Sequence, residues 1–531
     1  VTLTEILLHR HFRFDPADPA WPDRDRLVLP SELTQTGVAD EPGSAATIVD
    51  GPPGLAFGAA LGMAMAERLL AARFGRSLVD HRTWLLAGPR DLVAGTAREA
   101  AIVAGALPLG RLAVLANLPD TGTEEAGALA AQRRMLAGFT ATGWTVRIIA
   151  EGDEAAAEAA LSACLRSQKP TLIAEIGTHS DGLPATMPGH DAEDDDHAIR
   201  AAAKRGPGAR RSWLKRLRRH PTRDAFQHAQ SGYLPPGWQK YLHGEDGVAA
   251  ASQPPSMANV IQPALGRLAA ILPELTGLPM RDTPGLPAVS ASVFAARQLA
   301  WDGLDQAAAA GALGMALHGG MMPLLCVPSH PETSAPALRA AARHLVRMLL
   351  ILADDQGLPM PAIQGVLAFS PADAAEALDC LGLALRRADG PAVLALPALA
   401  AARPPQGQPR HCGRGAYVIG GPARRDATLL AAGAAVATAM SVQALLADRQ
   451  VAAVVVSMPC RALFDSQDAA YRRGVLGPGP VIGMAACDQT IFAGLIGTRD
   501  LMLTDAAGEP PARVAETILR HLQHSPPELE A

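Results

Sequence analysis

Val79-Asp80-His81-Arg82-Thr83-Trp84-Leu85-Leu86-Ala87-Gly88-Pro89-Arg90-Asp91-Leu92-Val93-Ala94-Gly95 is the stretch on which the reading of this 531-residue chain turns. Its first half is a short apolar run. Gly88-Pro89 breaks that run as a turn, and a helical pattern follows. The alternation recurs downstream. Leu109 to Ala116, Gly143-Trp144-Thr145-Val146-Arg147 and Lys169-Pro170-Thr171-Leu172-Ile173-Ala174 are further apolar runs between helical segments. Such alternation implies an α/β protein, with a parallel sheet and helices on both faces. Upstream, Asp50-Gly51-Pro52-Pro53-Gly54 feeds a helix that reaches about Phe74, with Ala59, Gly62 and Ala66 on one side for close packing. A glycine-proline loop opening a helix directs free backbone N–H groups outward, so Gly51, Pro52 and Gly54 could face a phosphate or a ring. A tightly packed loop would carry the same residues.

Length and composition bound the rest. The chain is long enough for two to four domains and a large core. Hydrophobic residues make up 49% and charged residues 19%, as in soluble globular proteins, and the net charge of −5 argues against a general nucleic-acid binder. Cys164, Cys326, Cys380, Cys412, Cys460 and Cys487 lie far apart without a C-x-x-C pair. Reduced thiols and a cytoplasmic location are therefore expected, rather than a zinc site or a disulfide framework. Val1 to His11 is too short and too charged for a signal peptide. No uninterrupted apolar run approaches a membrane span, so none is expected.

The opening stretch resembles transketolases, in which V-D-H-x-T-(aromatic) leads into the G-D-G that starts the metal-diphosphate motif of thiamine-diphosphate enzymes. The other segments extend the resemblance. Asp15-Pro16-Ala17-Asp18-Pro19-Ala20-Trp21-Pro22-Asp23-Arg24-Asp25-Arg26-Leu27-Val28-Leu29 is similar to N-P-x-x-P-x-W-x-D-R-D-R-F-V-L, and Asp50 to Ala64 is similar to T-G-P-L-G-Q-G-x-A-x-A-V-G-M-A. Gly311-Ala312-Leu313-Gly314-Met315-Ala316-Leu317-His318-Gly319-Gly320 ends like the family's G-I-A-L-H-G-G. Ser457-Met458-Pro459 and Phe464 to Arg472 resemble S-M-P and F-D-x-Q-D-x-x-Y-(R/K). The resemblance covers at least residues 4–200 and 256–500.

It implies three doubly wound α/β domains: a diphosphate-binding-like domain at 1–205, a pyrimidine-binding-like domain at 256–405 and a C-terminal domain at 406–531. A basic and proline-rich linker, 206–255, follows the first. It also implies a homodimer whose cofactor sites lie between the first domain of one subunit and the second of the other. Gly88 matches the first glycine of G-D-G, but the magnesium-binding aspartate falls on Pro89 and the second metal-binding side chain, an asparagine, on Pro119. Pro30-Ser31-Glu32-Leu33 stands where S-N-G-H-G-S would be. Thr186-Met187-Pro188-Gly189-His190 takes the place of T-H-x-x-H, leaving His190 as the one matching histidine. The glutamate that protonates the cofactor's aminopyrimidine aligns with Asp305, one methylene shorter, and a helix N-cap would explain Asp305 equally. The histidine loop shrinks to Asp354 to Pro361, and the substrate-phosphate arginine falls on Ala398.

Two further segments carry charge. His190 to His197 could be read as a metal site, although an acidic helix start is the plainer reading. Lys204 to Arg223 holds eight cations before His220, with Trp213, Leu214 and Leu217 interleaved. It reads as a solvated linker helix or as a dock for an anionic partner.

The expectation is a transketolase-like protein without thiamine-diphosphate/magnesium catalysis and without bound cofactor, acting as a scaffold or as a regulatory partner of an active transketolase. The alternative is an active transketolase moving a two-carbon ketol unit between sugar phosphates of the pentose phosphate pathway, with thiamine diphosphate and Mg2+. A repurposed pocket is the third reading, with Arg90 as its first anion-binding residue.

Overall fold

The apolar runs resolve into three sheets. The computed structural model describes residues 2–524 apart from 34–45, 121–125, 178–193, 244–256, 279–302, 329–330, 355–362, 398–409, 486–488, 498–499 and 505. The chain divides into two compact units. The first comprises Val1–Tyr233 with Ala291–Pro323, the second Leu234–Ser290 with Leu324–Ala531.

The first unit is built on six strands: β1 (Arg26–Pro30), β2 (Ala46–Val49), β3 (Thr83–Ala87), β4 (Leu112–Pro119), β5 (Thr145–Ala150) and β6 (Thr171–Gly177). Their order is β2-β1-β3-β4-β6-β5, all parallel. A sheet wound outward in both directions reverses its strand order between β1 and β3, and ligands of such sheets bind in the crevice beyond the strand C-termini at that reversal. β3 is buried throughout, as parallel strands covered on both faces must be.

Small residues fix the helix layer. The helix Leu55–Phe74 meets the helix Asp305–His318 nearly backbone to backbone: a Cβ on Gly62 would lie 1.9 Å from the Gly311 carbonyl oxygen, and one on Gly314 would lie 1.9 Å from that of Ala59. By length and composition Leu55–Phe74 could cross a membrane, but 83% of its most apolar window is buried inside the fold, where a core helix needs the same composition.

The basic segment is more firmly held than its charge suggests. The helix Asp194–Arg219 buries Trp213 and Leu217 against Trp21, Leu70, Phe74 and Phe226. Trp213 donates its indole N–H to the Leu78 carbonyl at 2.8 Å and stands edge-on to Trp21. Arg205 donates to the carbonyls of Leu8, His9 and Phe12, closing the end of the first helical turns. Arg210 pairs with Asp18 at 2.7 Å, and Arg216 donates to the Ser77 carbonyl at 2.8 Å. These three cations are structural, while Arg211, Lys215, Arg218 and Arg219 remain exposed. Trp213→Ala is expected to destabilise the first unit by about 3–5 kcal/mol in denaturant titration, and Arg211→Ala by under about 0.5 kcal/mol.

The second unit holds two sheets, apart from Met322 and Pro323 at the start of β8. One has order β10-β11-β9-β8-β7, from β7 (Leu275–Leu278), β8 (Met322–Pro328), β9 (Leu349–Asp354), β10 (Leu367–Phe369) and β11 (Ala392–Pro397). The other has order β12-β14-β13-β15-β16, from β12 (Tyr417–Gly420), β13 (Ala427–Ala431), β14 (Ala453–Ser457), β15 (Val481–Met484) and β16 (Leu501–Leu503). β12 runs antiparallel to β14. Within the segment read as a linker, Arg223–Ser231 and Lys240–His243 are helical.

Candidate functional site

Three loops follow the C-terminal ends of β1, β2 and β3, beside the strand-order reversal. After β3, Gly88 is the N-cap of the helix Pro89–Val93 and Pro89 its first residue, where a missing N–H costs nothing. After β2 comes the turn Gly51 to Gly54, closed by a bond from the Leu55 N–H to the Pro52 carbonyl. Gly51 and Pro52 are exposed, whereas Gly54 is buried. Gly54 has φ +86°, and a Cβ there would lie 2.8 Å from the Ala94 Cβ and 3.0 Å from the Ala97 nitrogen, so no other residue suits the position.

Asp91 joins these loops. One carboxylate oxygen accepts the Gly54 N–H at 3.1 Å and the other accepts the Gly88 N–H at 3.1 Å. The side chain is buried, which raises its pKa, while the two N–H groups favour the charged form and oppose the rise. Leu33, from the turn after β1, lies over Gly88, its Cδ2 3.6 Å from where a Cβ would be. Arg90 projects into solvent and pairs loosely with Glu32 at 3.6 Å. The crevice beyond β1 and β3 therefore contains a leucine, an internal carboxylate and an exposed ion pair.

Pro119 ends β4, opposite Gly177 on β6. Its carbonyl accepts a hydrogen bond from Gln132 at 3.1 Å, and the next residue, Asp120, donates its N–H to Gly177 at 2.6 Å. Neither Pro89 nor Pro119 has a side-chain oxygen to offer a cation.

Asp305 is the first residue of its helix, and Leu304 occupies the N-cap, so the N-cap expectation for Asp305 is displaced by one residue. Gly303, at φ +71°, turns the chain into this start. The helix is capped from elsewhere. Glu99 accepts the Ala307 N–H at 2.9 Å, and Thr96 donates its hydroxyl to Gln306 at 2.7 Å. Burial raises the Glu99 pKa, the Ala307 N–H opposes this, and Asp305 adds a like charge. His190 lies outside the described residues, as do Thr186 to Gly189, Ala398 and most of Asp354 to Pro361.

The structure thus brings Gly54 and Gly88 together through Asp91, a residue that sequence reasoning passed over, and sets Asp305 beside Glu99, also unread. Thr96-Ala97-Arg98-Glu99 has the spacing of a capping box, but Glu99 caps a distant helix instead of its own.

The families described as "Transketolase, thiamine diphosphate binding domain" and "Transketolase-like TK C-terminal domain" match residues 34–206 and 415–505. The chromosomal transketolase of Cupriavidus necator is 31% identical, covering 100% of this chain and 92% of its own. The transketolase of Cereibacter sphaeroides is 29% identical, over 91% of this chain and 86% of its own. Among solved structures, transketolase from Leishmania mexicana superposes with a TM-score of 0.81 at 20% identity, covering 100% of this chain and 94% of that one. That from Campylobacter jejuni gives 0.80 at 21%, covering 98% and 95%. With its doubly wound parallel sheets, its glycine loops at the strand-order reversal and this full-length similarity, the chain belongs to the transketolase family.

Proposed function

We propose that this member of the transketolase family has lost thiamine-diphosphate/magnesium catalysis and serves, as a cytoplasmic homodimer, as a scaffold or regulatory partner of an active transketolase. The observation that carries this reading is the state of the crevice beyond β1 and β3. Magnesium needs hard oxygen ligands in near-octahedral geometry, and no rotamer gives one to Pro89 or Pro119. The Gly54 and Gly88 N–H groups, which an incoming phosphate would need, already donate to Asp91. Leu33 rests against Gly88. These residues do not fit a magnesium diphosphate group.

The test is a ketol-transfer assay on the purified protein, with sugar-phosphate donor and acceptor, thiamine diphosphate and Mg2+. Turnover at the rate of a protein-free control is expected. Similarity to transketolases along the whole chain favours a second reading, an active transketolase with Asp305 as its carboxylate. That reading requires turnover well above the control that is lost in Asp305→Ala.

A further inference from the structure

We infer that Asp23, His81 and His318 form a buried chain that holds one proton beyond those of an ionised carboxylate and two neutral imidazoles. Losing that proton loosens the C-terminal end of the Asp305–His318 helix from the segment entering β3.

His81 Nδ1 lies 3.3 Å from an Asp23 oxygen, His81 Nε2 lies 2.8 Å from His318 Nε2, and His318 Nδ1 lies 2.8 Å from the Gly319 carbonyl oxygen. Each of these three gaps needs one hydrogen. Two neutral imidazoles supply two. If His81 donates to Asp23 from Nδ1, its Nε2 must accept from His318. That leaves His318 Nδ1 without a hydrogen facing a carbonyl. If His318 instead donates to Gly319, His81 must donate to His318 from Nε2. Its bare Nδ1 then faces Asp23, which must itself carry a proton. No arrangement of neutral rings with an ionised Asp23 fills all three gaps, and an unfilled gap between buried polar atoms is costly.

The surroundings decide where the extra proton sits. Asp23 and both rings are almost fully buried. Arg13 lies 4.0 Å from Asp23, and Arg26 donates to the His318 carbonyl at 3.1 Å. Arg24 is close by, while Asp25 is engaged by the Arg13 and Arg82 N–H groups and Asp80 donates its N–H to Asp23 at 2.6 Å. Burial, then Arg26, push both imidazoles well below their ordinary pKa. Burial raises Asp23 to about 7, against the pull of Arg13. The neutral-acid form of Asp23 follows.

Asp23 is raised, so its contribution to stability is complete below its unfolded value and is lost as pH rises through about 7. The imidazoles are lowered, so theirs is present above about 6.5 and lost as pH falls. The chain stabilises the fold most near about pH 6.5, where it links residues 237 positions apart.

The test uses protein carrying 15N only at histidine, titrated from about pH 5.5 to 9, beside the variant His318→Gln. A glutamine amide donates to His81 Nε2, so His81 can donate to an ionised Asp23 and the extra proton is no longer needed. In the wild type, the ring nitrogens of His81 and His318 should shift together near pH 7, with a common midpoint. Amide exchange at residues 316–320, corrected for its intrinsic pH dependence, should accelerate about fivefold to tenfold above that midpoint. Both changes should be absent in His318→Gln and in Asp23→Asn, which cannot ionise. Wild-type rings that stay unchanged, or that titrate separately near their ordinary pKa, overturn the inference even if a variant fails to fold.

Discussion

Replacing Gly62 with valine is expected to unfold the first unit. The helices Leu55–Phe74 and Asp305–His318 cross at Gly62, Gly311 and Gly314, where a Cβ on Gly62 would sit 1.9 Å from a backbone oxygen. A flexible side chain could swing away from such a contact, but a carbonyl in the middle of a helix cannot. At Gly58, a Cβ would lie 2.3 Å from that of Ala310, so the whole seam would have to open. Overpacking a core usually costs about 1–3 kcal/mol. Here the obstacle is backbone on both sides, so the cost should exceed that range and consume much of a stability of about 5–15 kcal/mol. Gly62→Ala should already lower the melting temperature clearly, and Gly62→Val should remove the cooperative transition of this unit. Gly127→Ala is the control. Gly127 is exposed in the helix Ala126–Ala141, and a Cβ there would meet nothing within 4 Å beyond its own turn of helix, so alanine there should be neutral or stabilise by up to about 1 kcal/mol. A Gly62→Val protein that melts like the wild type would refute the backbone contact.

The second large effect is expected at Glu376. It is buried in the helix Ala374–Arg386, and one of its oxygens accepts the Tyr417 hydroxyl at 2.8 Å and the Ser457 hydroxyl at 2.9 Å. The other oxygen accepts the Ala372 N–H. Tyr417 on β12 and Ser457 on β14 are register partners, so this one carboxylate ties the helix of one sheet to the edge pair of the other within the second unit. Glu376→Ala leaves three donors buried without acceptors and should cost about 3–5 kcal/mol. Glu376→Gln keeps one acceptor oxygen but turns an NH2 toward the Ala372 N–H, and about 1–3 kcal/mol is expected. Burial raises the Glu376 pKa to about 7. Because the folded value is above the unfolded one, its contribution is complete at acid pH and declines as pH rises through about 7. Chemical denaturation of the wild type between about pH 4.3 and 7 should show that decline, and Glu376→Gln should lack this component.

Much of the fold was legible because parallel β strands must be apolar on both faces and their connections carry small residues. The face that carries Ala59 and Gly62 is the one that meets another helix. Its partner, some 250 positions away in Gly311 and Gly314, left no local signal. Element ends were less legible. The run from Leu109 to Ala116 begins as a turn and forms strand only over Leu112–Pro119, because Leu109 and Leu112 use their N–H groups in local turns. The first helical turns end at His11, where Phe12 turns extended and, with Phe14, enters the core. The basic helix looked solvated because charge outweighs its few apolar residues. Trp213 and Leu217, one turn apart, nonetheless enter a core cluster with Trp21 and Phe74.

At the candidate site the glycine-proline turns were legible from the residues, and the resemblance singled out Pro89 and Pro119. Asp91 was not, because an aspartate in a first helical turn ordinarily caps its own helix. Here it does that and also reaches the Gly54 N–H, 37 positions back. Only the folded backbone reveals that both loops share one carboxylate.

Calorimetric titration of the purified wild-type protein with thiamine diphosphate, with and without Mg2+, tests the proposed loss of catalysis most directly. Pro89, Pro119 and the Asp91-occupied amides predict no heat of binding at millimolar cofactor under either condition. Tight binding that requires Mg2+ would contradict this, and would mean that other oxygens of the chain hold the metal.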